Sequence, residues 1–191
     1  MRFAQAFNQL VYTLFYPGVL GSMIFNLADP LRDISIVWFC TLLVGACFIV
    51  DYLYLTLHLL PNGRASTIWQ PVGDLLIAIS FCFSYFLIAR ADVLDFGAPE
   101  QDRAILLALV FLFLSQALIL IYDVALKKFK TMLDIVQATG PAIGIAALIL
   151  VPDMVAPFHI YLWSAIWVLI VYTYRLIRIG LAEYREAQVN A

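Results

Sequence analysis

The chain has 191 residues, of which 64% are apolar and only 13% carry a charge. Its mean hydropathy is +0.96. A soluble domain of this length cannot bury so much apolar surface, so we predict that a lipid bilayer covers the outside of the fold. The formal net charge of −2 gives no reason to expect a nucleic-acid partner. The length leaves no room for a separate domain outside the membrane.

The first apolar segment covers about residues 4–28 and contains Pro17 followed by Gly18. Proline lacks the N–H that a helix interior needs, so the segment is predicted to be kinked or interrupted there. It either spans the membrane as a bent helix or lies in the interface as an amphipathic one, and we favour spanning. It lacks the cationic start, short apolar core and cleavage site of a removable signal peptide.

Five further apolar segments follow. They cover about residues 34–60, 72–90, 104–126, 131–151 and 156–179, and a polar tail covers residues 180–191. The first of the five would form roughly 40 Å of helix, more than the roughly 30 Å hydrocarbon core requires. The predicted fold is therefore all-α, a polytopic membrane bundle that forms one domain over residues 1–191. It has six transmembrane helices, or five if the first segment is interfacial.

The distribution of Lys and Arg predicts the orientation. With six spans, one side carries eight of these residues and the other carries three. The larger group is Arg2, Arg64, Lys127, Lys128, Lys130, Arg175, Arg178 and Arg185, and the smaller group is Arg32, Arg90 and Arg103. Because Lys and Arg concentrate on the cytoplasmic side, both termini are predicted to be cytoplasmic. The expected location is the plasma (inner) membrane of a bacterium.

Four aspartates lie near the ends of the predicted spans, on the cytoplasmic side: Asp51, Asp74, Asp123 and Asp134. Asp74 and Asp134 open their helices, where free N–H groups and the positive end of the dipole favour an anion, so we predict a capping role for both. Asp123 is near the unfavourable C-terminal pole, but Lys127 lies one turn further on and can pair with it.

Asp51 has neither explanation, because it lies towards the C-terminal pole of its helix and position 55 is a leucine. We expect a structural ion pair with Arg175 or Arg178, and the alternative is an ion- or proton-binding site. Several tyrosines, Tyr122 among them, lie at the same level. Tyrosines at this depth are typical of an interfacial belt, and the alternative is that they line a polar vestibule beside Asp51.

A second candidate site is the middle of the fifth apolar segment. Pro141 deprives the carbonyl of Gln137 of its helical partner, and Thr139 adds a hydroxyl. The favoured interpretation is that Gly140 and Gly144, in GxxxG spacing, allow close helix packing. The alternative is that the first three residues, with Gln116 from the preceding helix, form a polar site around a Pro-broken helix, as in transporters.

No cofactor or metal is expected. The three cysteines fall within apolar helices and fit the pattern of small buried apolar residues. The two histidines, His58 and His159, are predicted at opposite faces of the membrane, where one haem cannot bridge them.

Three functional classes remain open. The first is a small transporter or channel for a small solute or ion, with Asp51 as its coupling or selectivity carboxylate. The second is a non-catalytic subunit that docks onto a larger membrane complex through small-residue helix faces. The expected partners are the lipid bilayer and either further copies of the chain, as a homo-oligomer, or a larger membrane complex. The third is an intramembrane enzyme, and enzyme activity is not the expected outcome because no complete catalytic motif is present. We favour transport, since intramembrane acids are typical of it.

Overall fold

The structure is a computed structural model and describes residues 6–7, 9–28, 35–58, 69–91, 94, 99–125, 131–151 and 156–189. These residues form six α-helices: α1 (Tyr16–Leu27), α2 (Ile36–His58), α3 (Trp69–Ala91), α4 (Pro99–Ala125), α5 (Thr131–Leu150) and α6 (Pro157–Val189). A π-helical turn, Val11–Phe15, leads directly into α1. No strand occurs in these ranges, and the five helices α2 to α6 are each long and apolar enough to cross a membrane. The predicted fold class, an all-α membrane bundle, is confirmed.

Three helices extend beyond their predicted bounds, and α3 begins at Trp69 rather than near residue 72. Helix α4 begins at Pro99 rather than near residue 104, because proline suits the first turn and Glu100 and Asp102 complement the positive end of the helix dipole. Helix α6 continues to Val189, so the polar segment from residue 180 to that position is helical.

Helices α2 to α6 form a closed arrangement. Each packs against the next along the chain, α6 returns to pack on α2, and α4 also contacts α6. Helix α1 packs against α2 and α3. Aromatic side chains fill the junction of α2, α3 and α6, where the ring of Phe81 lies 6.2 Å from that of Phe48 and 6.4 Å from that of Tyr172.

The helix stays continuous through Pro17 because it widens immediately before the proline. The N–H of Tyr16 bonds to the carbonyl of Val11, five residues back, which gives the proline ring room against the preceding turn. Helix α1 runs lengthwise along the bundle rather than across its end. Tyr12 contacts Asp74 near the start of α3, and the carbonyl of Met23 accepts from Tyr85 further along that helix.

Helix α5 is also continuous, with Pro141 in its interior, so the predicted break is wrong. The α5–α6 contact is very close at the two glycines. A Cβ added at Gly144 would lie 2.8 Å from Ile160, and one added at Gly140 would collide with the ring of Trp167. The indole N–H of Trp167 also donates to the carbonyl of Val136 at 2.7 Å. The contacts therefore fit the packing interpretation of the glycine pair.

Candidate functional site

Three carboxylates and one guanidinium are buried at the same end of the bundle, where α2 and α4 end and α3 and α5 begin. The exposed fraction is 3% for Asp51, 1% for Asp74, 1% for Asp134 and 5% for Arg175. We call this region the carboxylate end. Within the described residues, Arg175 is the only buried cation. Because isolated buried charges are costly, each of these groups needs a specific partner.

Both carboxylate oxygens of Asp51 accept hydrogen bonds from tyrosines. The hydroxyl of Tyr172, on α6, donates to Oδ1 at 2.8 Å. The hydroxyl of Tyr16, on α1, lies 3.3 Å from Oδ2. No cation in the described part of the chain forms an ion pair with Asp51, so the predicted pair with Arg175 or Arg178 is wrong.

The Tyr16 hydroxyl lies between two acceptors at nearly equal distances. Its oxygen is 3.3 Å from Oδ2 of Asp51 and 3.2 Å from the backbone carbonyl of Asp74. Its ring is fully buried and stacks on Tyr12, Phe48 and Tyr52 at centroid distances of 5.9, 5.1 and 5.5 Å. A single hydroxyl proton can serve only one acceptor well at a time, so this stacked ring holds a hydroxyl that can switch between them.

The side chain of Asp74 does not act as the predicted helix cap. Helix α3 begins at Trp69, so Asp74 lies beyond its first turn, and Oδ2 accepts from the hydroxyl of Tyr12. Tyr12 and Tyr16 are four residues apart and lie on one face of the N-terminal helical segment. That segment therefore supplies a hydroxyl to each of two buried aspartates.

Arg175 pairs with Asp134 rather than with Asp51. Its guanidinium forms an ion pair with Oδ1 of Asp134 and lies 5.5 Å from the centroid of the Tyr54 ring. Asp134 is in the first turn of α5, as predicted, but neither of its carboxylate oxygens has a hydrogen-bond partner among the described residues, so the predicted capping hydrogen bond is not present there. Arg178, the other predicted partner, is exposed.

The second candidate site is only partly assembled. Gln137 donates to Oε1 of Gln116, and Gln116 donates to the hydroxyl of Ser115 at 2.7 Å. Thr139 does not join them, because its hydroxyl bonds at 2.6 Å to the carbonyl of Val136 in its own helix. The structure thus brings Gln116 and Gln137 together, whereas the Thr139 hydroxyl bonds within its own helix.

Two predicted site residues, Tyr122 and Asp123, have side chains that lie outside the described residues. In the other direction, the sequence analysis missed Tyr12 and Tyr16 as site residues. Tyr12 and Tyr16 are four residues apart, and Met23, seven residues after Tyr16, is buried on the same face of the segment. This helical spacing indicates that both hydroxyls face inward.

The carboxylate end has the groups needed to hold and release a proton. Among the described residues, three buried carboxylates face one buried guanidinium, and low-dielectric surroundings disfavour the surplus negative charge. Tyrosine hydroxyls both donate and accept, so they can satisfy either protonation state of a neighbouring carboxyl. Comparison of the chain with protein-family models, with curated proteins and with solved structures finds no match.

Proposed function

We propose that this protein is a small membrane transporter or channel that moves protons, alone or with a small solute, and that Asp51 is its proton-binding carboxyl. The observation that carries the proposal is the position of the Tyr16 hydroxyl, 3.3 Å from Asp51 and 3.2 Å from the carbonyl of Asp74. This placement supports two hydrogen-bonding arrangements of one buried site.

In the first arrangement Asp51 is ionised, and Tyr16 and Tyr172 both donate to it. In the second arrangement Oδ2 of Asp51 carries a proton, and this O–H group donates a hydrogen bond to the Tyr16 oxygen. The Tyr16 hydroxyl then donates its own hydrogen bond to the carbonyl of Asp74. No bond is made or broken other than the one between the proton and Asp51. Every polar atom keeps a hydrogen-bond partner in both arrangements, so neither arrangement is destabilised by an unsatisfied buried group.

The test is proton flux into proteoliposomes that contain the purified protein and a trapped pH-sensitive dye. We expect Asp51→Asn to abolish the flux, because an amide cannot bind and release a proton at this position. The matched control is Ser84→Ala, which removes a buried hydroxyl that bonds to the carbonyl of Ala108 at 2.8 Å. Ser84 lies ten residues, or about 15 Å, along α3 from Asp74. We expect this variant to retain wild-type flux.

Both variants must elute as folded protein in size-exclusion chromatography for the comparison to count. Absence of flux in the wild type under an imposed pH gradient, or full flux in folded Asp51→Asn, would overturn the proposal.

We also propose that the N-terminal segment spans the membrane and that both termini are cytoplasmic. The lengthwise packing of α1 and the excess of Lys and Arg on one predicted side support this orientation. Reporter fusions at each terminus test it, and a reporter that is active only outside the cytoplasm should stay silent at both. The bacterial inner membrane stays a prediction.

A subunit of a larger membrane complex is the competing function. The small-residue face predicted to dock a partner contacts α6 of the same chain, with Trp167 on Gly140 and Ile160 beside Gly144. This arrangement gives no specific support to docking by that face. Purification from a native membrane in mild detergent, with mass spectrometry, tests the alternative, and a stoichiometric partner would favour it over a stand-alone transporter.

A further inference from the structure

We propose that Arg175 is a tethered cation that competes with the transported proton for Asp51, and that Asp134 holds it away from Asp51. The inference rests on the proposed function and assigns the residues that set the pH range of the site. Its starting point is that Arg175 lies three residues after Tyr172, which donates to Asp51, but forms its ion pair with Asp134 on α5.

Helices α2 and α6 meet through two successive contacts. Tyr172 and Arg175 are three residues apart on α6, and Asp51 and Tyr54 are three residues apart on α2, so each pair shares a helix face. The first contact is the 2.8 Å hydrogen bond from Tyr172 to Asp51. The second is the Arg175 guanidinium over the Tyr54 ring at 5.5 Å. The guanidinium is thus about one helical turn, or about 5 Å, from the level of Asp51.

An arginine side chain has a long flexible stem and covers such a distance by rotating about its own bonds, without movement of the helix. Two of the contacts that hold Arg175 in its present position are the ion pair with Asp134 and the cation–π contact with Tyr54. The ion pair is formed with Oδ1 of Asp134, and no hydrogen bond from another described residue holds this carboxylate.

The two carboxylates compete for one guanidinium. While Asp51 carries a proton it is neutral, and Arg175 stays on Asp134. When the proton leaves, Asp51 becomes negative and attracts the guanidinium, which would then oppose the return of the proton. The groups that act on this balance are Tyr16, Asp74 and Tyr172 around Asp51, and Tyr54 and Asp134 around Arg175.

The deciding experiment removes the Asp134 carboxylate, which holds Arg175 in its ion pair. Asp134→Asn frees Arg175 to neutralise Asp51, so we expect the pH of half-maximal proton flux to fall by about 1–3 pH units with the maximal rate retained. The double variant Asp134→Asn/Arg175→Gln also lacks the Arg175 guanidinium. The pH of half-maximal proton flux should then return to the wild-type value or rise above it. Arg178→Gln, at an exposed arginine one turn away, is the matched control and should leave the profile unchanged.

A purely structural ion pair gives a different result. It predicts that Asp134→Asn lowers the folded yield or the maximal rate and leaves the half-maximal pH in place, which would overturn the inference. If Asp134→Asn does not fold, Tyr54→Leu removes the cation–π contact and should move the profile in the same direction. An unmoved profile in that variant would also overturn the inference.

The melting temperature of the detergent-solubilised protein, recorded against pH, provides a readout that does not need flux. We expect a pH-dependent transition in the wild type that is absent from Asp51→Asn and moves to lower pH in Asp134→Asn. Failure of the proposed function shows as missing wild-type flux, whereas failure of this inference shows as an unmoved transition in Asp134→Asn, so the two are distinguishable.

Discussion

The two ends of the bundle satisfy their buried polar side chains in different ways. Towards the end opposite the carboxylates, hydroxyl and amide groups donate mainly to backbone carbonyls: Ser84 to Ala108 at 2.8 Å, Tyr85 to Met23 at 2.8 Å and Gln101 to Ala91 at 3.0 Å. The Ser84 hydroxyl also bonds to the Tyr161 hydroxyl at 2.8 Å, and neither of these two side chains is charged. At the carboxylate end, side chains bond to one another, with tyrosines on Asp51 and Asp74 and an arginine on Asp134.

The difference shows which end can change state. A backbone carbonyl is a fixed acceptor with no charge to gain or lose, so a hydrogen bond to it fixes the packing of two helices. A carboxylate bonded to a hydroxyl has two protonation states, and each member of such a network affects the others. The opposite end therefore holds the helices in register, and the carboxylate end is the region in which a proton can move.

The largest expected effect comes from exchanging one tyrosine at each end. Tyr16 and Tyr85 are both fully buried, and each places its hydroxyl on an acceptor from another helix. We expect Tyr16→Phe to lower proton flux by about 10- to 100-fold, because Asp51 would lose a hydrogen-bond partner in both protonation states and a buried group left unsatisfied costs about 1–3 kcal/mol. Tyr85→Phe should lower the melting temperature slightly and leave flux within about twofold. Equal losses in both variants would show that the two ends do not differ in function.

A packing variant tests the region between the two ends. Gly140→Val should destabilise the fold by about 1–3 kcal/mol, because its Cβ would collide with the Trp167 ring between α5 and α6. Gly18→Val is the control, since nothing lies within 4 Å of a Cβ at that position. Thermal unfolding followed by size-exclusion chromatography measures both. A stable Gly140→Val protein would mean that α5 and α6 approach less closely than described.

The smallest expected effect is that of Tyr172→Phe, which tests how the tyrosines act on the protonation of Asp51. Tyr172→Phe removes a donor that favours the ionised carboxylate, so the protonated form should persist to higher pH. We expect the pH of half-maximal flux to rise by less than about one unit, with the maximal rate preserved. Tyr174→Phe, two residues along α6 at an exposed site, is the control in the same flux assay. A shift to lower pH after Tyr172→Phe would contradict the assignment.

The sequence alone predicted part of the site. Asp51 lies at the unfavourable pole of its helix without a cation at position 55, and this correctly indicated that its partners come from other helices. The favoured partners, Arg175 and Arg178, were wrong, because Arg175 is bonded to Asp134. The alternative, tyrosines beside Asp51, fits the hydrogen bond from Tyr172. Tyr12 and Tyr16 were not recognised as site residues. Their spacing indicates that they share a face, but the acceptors they reach depend on how α1 is rotated and placed against α2 and α3.

The membrane-bundle class was determined by the sequence itself. A chain that is 64% apolar must place its backbone polar groups in helices when it enters lipid, because no water is available to satisfy them there. That requirement is local, so apolar runs and their breaks predict the helices. Proline at positions 17 and 141 was expected to interrupt them, and both helices continue, the first through a π-helical turn immediately before Pro17.

Only the tertiary structure decided which buried groups meet. The pairing of Asp51 with two tyrosines, of Asp74 with Tyr12 and of Asp134 with Arg175 joins residues far apart in the chain and on different helices. Each pairing depends on the rotation of two helices and their relative height. Those parameters result from the packing of all six helices together and not from any one segment, so the candidate proton site became visible only in the folded bundle.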